Sequence, residues 1–114
     1  MPSPSPAQLD RMFQALADPC RRGFVEQLAR GPASVTSLAA SVEVGLPAVL
    51  KHLRILENGG ILVSEKTGRV RTYRLRPEAF EAANRWIQQR EREMHGAFDR
   101  LATIMAELPQ AKDC

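Results

Sequence analysis

The placement of chain-breaking residues constrains this sequence more than any other feature. Asp18-Pro19, Arg30-Gly31-Pro32, the turn from Glu43 to Gly45, and Asn58-Gly59-Gly60 divide its first half into short segments. Each segment carries apolar residues at three- and four-residue steps, the spacing that stacks side chains on one helical face. Leu9, Met12, Phe13 and Leu16 form the first stripe, Phe24, Val25 and Leu28 the second, and Val35, Leu38 and Ala39 the third. Leu46, Val49, Leu53 and Leu56 form a fourth, on a helix that turns Lys51 and Arg54 outward, with Leu50 and His52 on opposite flanks.

Local signals mark where these helices start and stop. Asp18 and Pro19 suit an N-cap and a first helical position, and Ser34 suits the cap of the third helix. Gly59 and Gly60 stop the fourth, because glycine accepts the left-handed conformation at a helix end. Two short helices joined by a tight turn, the second cationic outside, outline a helix-turn-helix. Leu50 reads as an addition to the core, with apolar contact to a thymine methyl or sugar edge as the alternative.

Beyond the double glycine the pattern changes. "ILVSEK" and "RVRTYRL" are β-rich runs separated by Thr67-Gly68, which predicts a hairpin with Tyr73 and Leu75 turned to the core. From about Pro77 onward the chain reads as helical, with a break near Glu81, and Ala83, Trp86, Ile87, Arg90, Met94, Ala97, Phe98, Leu101, Ile104, Met105 and Leu108 recur along it. A helix this long outruns the core that a 114-residue chain with 44% hydrophobic content builds before it. Its outer turns need a second copy, paired through this helix and the first, or must pack back along their own domain.

Charge is distributed unevenly. Between residues 46 and 76 seven lysines and arginines face only Glu57 and Glu65, so this stretch is more positive than the whole chain at +3. Such concentration is an electrostatic footprint for a polyanion, a solvated basic face being the bland alternative. Enzyme signatures are missing: there is no glycine-rich phosphate loop, paired His-Glu metal motif or nucleophile elbow. Cys20 and Cys114 form no Cys-x-x-Cys pair, and no run approaches a membrane span or a signal peptide, which predicts a cytoplasmic protein. Cys20, beside Arg21 and Arg22 in a first helical turn, is a candidate thiol sensor through a stabilised thiolate, with a small half-buried residue as the favoured reading. Glu91, His95 and Asp99 share a helical face that suits zinc across a dimer, or, as preferred, a solvated face.

The stretch "LADPCRRGFVEQLARGPASVTSLAASVEVGLPAVLKHLRILENGGILVSEKTGRVRTYRL", residues 16–75, resembles the ArsR family of winged helix-turn-helix repressors. The shared features are the Asp-Pro helix start, the paired short helices with a Lys-His-Leu recognition segment, and the basic wing. The resemblance implies a mainly α fold with a small β-hairpin, dimerising through the first and last helices. The domain would span residues 7–108, between a flexible tail at 1–6 and a polar tail at 109–114. It also implies a homodimeric repressor that binds double-stranded DNA and occludes a promoter carrying an inverted repeat. A winged-helix module used only for protein contacts is the alternative.

Three departures from the family stand out. "SVTSLAA" replaces the helix that commonly carries paired cysteines in metal-sensing members, so no metal or cofactor is expected; Gly45 stands where a hydroxyl residue often caps the recognition helix; and Leu50 replaces a small polar residue. Ala48 and Lys51, early and outward, are expected to meet base edges, and Arg54 a phosphate. His52 is expected to donate to a phosphate or base, or to pack. Lys66, Arg69 and Arg71 on the hairpin are expected to grip a minor groove or its phosphates.

Overall fold

Ser5 opens the first helix. Its hydroxyl accepts the Gln8 N–H at 3.2 Å while the Gln8 side chain accepts the Ser5 N–H at 2.8 Å, a reciprocal cap. In the computed structural model, which describes residues 5–108, α1 therefore runs Pro6–Leu16. Ser5 and Pro6, expected within a flexible tail at 1–6, belong to the start of this helix. Residues 1–4, and the expected polar tail at 109–114, lie outside the described residues.

The next helices start where their caps predict. Asp18 accepts the Arg21 N–H at 3.1 Å and opens α2 (Pro19–Leu28); Ser34 accepts the Ser37 N–H at 3.1 Å and opens α3 (Val35–Ala40). After a short turn comes α4 (Leu46–Asn58), capped by Gly45 with no side-chain hydrogen bond. Gly60, at φ 77°, ends it: the Gly60 and Ile61 N–H groups return to the Glu57 and Leu56 carbonyls, both at 3.0 Å. Gly59 stays right-handed and is required for another reason. A Cβ there would lie 3.1 Å from both the Ala15 Cβ and the Arg11 carbonyl oxygen, so its absence lets α1 cross closely over the end of α4.

The expected hairpin is present but belongs to a larger sheet. Strands β2 (Leu62–Thr67) and β3 (Val70–Leu75) pair antiparallel from Leu62↔Leu75 to Thr67↔Val70. Gly68 alone takes a positive φ, +63°, in the two-residue loop, the geometry that matches the strands' twist. A third strand, β1 (Ala33–Ser34), pairs with β3 through Ala33↔Tyr73 and Ser34↔Thr72, giving the order β1-β3-β2. Two residues carry no alternation to read, and only the distant partner makes them a strand.

The core lies where α1 to α4 meet the base of this sheet. Phe24, Leu38, Val49, Leu53, Leu56 and Ile61 are fully buried, each contributing about 1.5–3 kcal/mol by removing apolar surface from water. Leu46, expected in the α4 stripe, is 50% exposed because it precedes the first core-facing turn.

The chain divides after Ala83 into two units. The stretch expected as one domain, 7–108, spans both. After a turn at Pro77–Phe80, α5 (Glu81–Glu107) begins in the first unit and makes up the described part of the second. Met94, Phe98, Leu101, Ile104 and Met105 are all more than half exposed along it. Among the described residues no helix is long and apolar enough to cross a membrane.

Candidate nucleic-acid interface

Helix α4 is seated through Val49, Leu53 and Leu56, and this fixes what it turns outward. Lys51 and Arg54 are exposed, and Ala48 is half-buried near the helix start. Leu50 is 38% exposed, correcting its assignment to the core. The hairpin opposite leaves a groove instead of closing on it. That groove, of about 330 Å³, is lined by Ser34, Val35, Thr36, Leu50, Lys66, Arg69, Val70 and Arg71.

The wing's charge follows from strand periodicity. Leu62, Ser64 and Lys66 share a face with their partners Leu75, Tyr73 and Arg71. At the base of this face Leu62 and Tyr73 are buried; at its tip Lys66 and Arg71 stand exposed and directly opposite each other. The Arg71 guanidinium donates to the Ser64 Oγ at 2.9 Å, and that hydroxyl donates to the Glu57 carboxylate at 3.2 Å. A wing cation is thereby linked to the last turn of α4. Arg69 occupies the hairpin loop and is exposed. Ser34 and Thr36 were missed as groove residues. Their hydroxyls at the start of α3 were the available signal, but only the β1–β3 pairing brings them to the wing.

His52 sits differently from Lys51 and Arg54. It is half-buried, with Nδ1 3.2 Å from the Arg21 Nη1 and 4.0 Å from the Asp18 Oδ2. A guanidinium only donates, so in this contact Nδ1 is the acceptor, which a neutral ring permits when its proton is on Nε2. One nitrogen of His52 is therefore engaged within the fold. Arg21 also donates from Nε to the Ala15 carbonyl at 2.8 Å and from Nη2 to the Gln14 carbonyl at 3.0 Å, and Arg22 donates to the Leu16 carbonyl at 2.8 Å. Both arginines thus satisfy the open carbonyls at the end of α1.

The surroundings of Cys20 act against a thiolate. Burial pushes its thiol up, the Asp18 carboxylate adds to the rise, and Arg21 opposes it only in part. The direction of this shift favours the small half-buried residue over the stabilised thiolate that a thiol sensor needs. Glu91, His95 and Asp99 are exposed along α5. Among the described residues, the ligand-type side chains that converge are Asp18, Cys20 and His52.

Paired short helices, a basic outward helix and a flanking basic hairpin define a winged helix-turn-helix protein. A family model for a helix-turn-helix domain matches residues 16–65. Over 73 residues the chain is 42% identical to the HTH-type transcriptional regulator Rv2034 of Mycobacterium tuberculosis, covering 64% of this chain and 68% of that one. A 40% identical match to NmtR of the same organism covers 64% of this chain and 61% of that relative. The crystal structure of the ArsR family transcriptional regulator RHA00566 superposes with a TM-score of 0.77 at 39% identity, covering 82% of this chain and 97% of its own. The homodimeric winged helix-turn-helix DNA-binding domain Mb0332 of Mycobacterium bovis superposes with a TM-score of 0.61 at 25% identity, covering 83% of this chain and 95% of its own. The chain belongs to the ArsR family of winged helix-turn-helix transcriptional regulators.

Proposed function

We propose that the chain is a DNA-binding transcriptional repressor that acts as a homodimer on an inverted repeat. The observation that carries this reading is the placement of Lys66 directly opposite Arg71 at the exposed tip of the wing. Like charges facing each other across strands destabilise a hairpin, and a polyanion relieves that repulsion. Lys51 and Arg54 extend the positive surface along α4. Ala48 and Lys51 read base edges, Arg54 meets phosphate, and Arg69 with Arg71 grips the neighbouring groove. Leu50 lies in the groove and offers an apolar contact of the kind that suits a thymine methyl. His52 contributes through Nε2 or holds α4 in place.

Dimerisation is supported by α5. Met94, Phe98, Leu101, Met105 and Leu108 alternate four- and three-residue steps, the repeat of a seam between paired helices, and all are exposed in the single chain. Pairing through the first and last helices would place two recognition helices about 34 Å apart, one turn of DNA. The homodimeric Mycobacterium bovis domain lends support to this assembly. A gel shift on DNA from upstream of the chain's own gene tests the proposal. The wild type should retard the duplex, and Arg69→Ala with Arg71→Ala should weaken it and flatten its salt dependence; an unchanged affinity would favour a module for protein contacts.

A further inference from the structure

Asp18, Cys20 and His52 bring a carboxylate oxygen, a sulfur and an imidazole nitrogen within 4.8 Å of one another. Sequence order hides this cluster, because two members open α2 and the third lies in the middle of α4. Asp18 is fixed as the N-cap of α2, which places Cys20 in the first turn, and the packing of α2 on α4 delivers His52. All three are half-buried, shielded from bulk water yet reachable from it.

We propose that these three side chains form a binding site for a borderline divalent cation, zinc or cobalt(II). The donor set decides the class. Magnesium and calcium take oxygen ligands and copper(I) prefers sulfur, whereas one oxygen, one sulfur and one nitrogen suit zinc or cobalt(II). Donors on a tetrahedral zinc stand about 3.5 Å apart, so the group needs to contract by roughly 1 Å through side-chain rotation. Three protein ligands leave a fourth position for water.

Arg21 is the group that must yield. Its Nη1 contact to the His52 Nδ1 breaks when that nitrogen takes the metal, while its Nε and Nη2 bonds to the Ala15 and Gln14 carbonyls hold the guanidinium nearby. A retained positive charge weakens cation binding, which makes this a site for reversible occupation rather than a structural staple. Metal binding displaces the Cys20 proton to solvent and leaves the oxidation state of sulfur unchanged. A bound ion would tie the start of α2 to the middle of α4 and fix the His52 imidazole, whether or not the protein is on DNA.

Titration of the full reduced chain with cobalt(II) tests the site. One ion per chain is expected, with a near-ultraviolet thiolate-to-cobalt charge-transfer band and the visible bands of a four-coordinate ion. Cys20→Ser should abolish the charge-transfer band, Cys114→Ser should retain it, and His52→Gln should weaken binding by at least about tenfold. Absence of the band in the wild type, its survival in Cys20→Ser, or its loss in Cys114→Ser would overturn the proposal. Zinc protection of Cys20 from iodoacetamide in the Cys114→Ser chain reads the same site with its ligands intact; unprotected alkylation at saturating zinc would equally reject it.

Discussion

Lys66 and Arg71 face each other directly across the β2–β3 hairpin, at the exposed end of a face whose base is buried. Their proximity is unfavourable to the free protein and useful to one that binds a polyanion. Lys66→Ala should therefore separate stability from binding. Thermal unfolding should show a chain as stable as the wild type or more stable by up to about 1 kcal/mol. DNA affinity should fall, with a salt slope smaller by about 1 for each phosphate no longer neutralised. A destabilised hairpin with unchanged binding would contradict this.

The Arg71–Ser64–Glu57 chain holds one wing arginine to α4. Ser64→Ala removes the shared hydroxyl and leaves both charged partners exposed enough to hydrate. Stability should drop by no more than about 0.5–1.5 kcal/mol. DNA dissociation should quicken, because Arg71 must then be ordered on binding, and stopped-flow anisotropy measures that rate.

Two glycines give opposite predictions for the same substitution. Gly59→Ala places a methyl 3.1 Å from the Arg11 carbonyl oxygen and the Ala15 Cβ, and forcing α1 away should cost about 1–3 kcal/mol. Gly23→Ala, within α2 and with nothing near its added methyl, should stabilise by about 0.5–1 kcal/mol through helix propensity. Urea unfolding of both variants checks the pair.

The Asp18 carboxyl is held below its ordinary value, first by the Arg21 backbone N–H and further by the charges of Arg21 and His52, against an opposing rise from burial. A carboxyl lowered on folding stabilises the fold at pH above its unfolded value, and that contribution is lost as pH falls through its folded value. Asp18→Asn keeps a capping side chain without the titration. Its acid-unfolding curve should be flatter than the wild type's below about pH 4.

Cys20 gives a chemical prediction. With burial and Asp18 raising the thiol, iodoacetamide at neutral pH should modify it more slowly than an unperturbed cysteine. Mass spectrometry of the peptide carrying Cys20 follows the rate. Faster modification would restore the thiol-sensor reading.

Local chemistry made much of this fold readable. Asp18-Pro19 and Ser34 announce helix starts through side chains that accept N–H groups three residues ahead, and Gly68 announces the hairpin through one permitted φ, although the loop is Gly68-Arg69 and Thr67 ends β2. The Ser5–Gln8 cap is equally local, although the proline- and serine-rich start around it reads as a tail. Other features depended on distant partners. Strand β1 exists only because β3 lies beside it, and Leu50 is exposed only because the wing stands off from α4. The direction of the Cys20 shift depended on burial and on the neighbouring Asp18 carboxylate, which together outweigh the opposing charge of Arg21. The outward cations were legible individually; the pairing of Lys66 with Arg71 and the convergence of His52 on α2 required the packed structure.

The most direct test is the salt dependence of affinity for a duplex taken from upstream of the chain's own gene, read by fluorescence anisotropy. A dimer neutralising six to ten phosphates should show log affinity falling linearly with log salt at a slope of about −5 to −9. Failure to bind the duplex in dilute buffer, or a slope near zero, would contradict a repressor that holds DNA through its basic helix and wing.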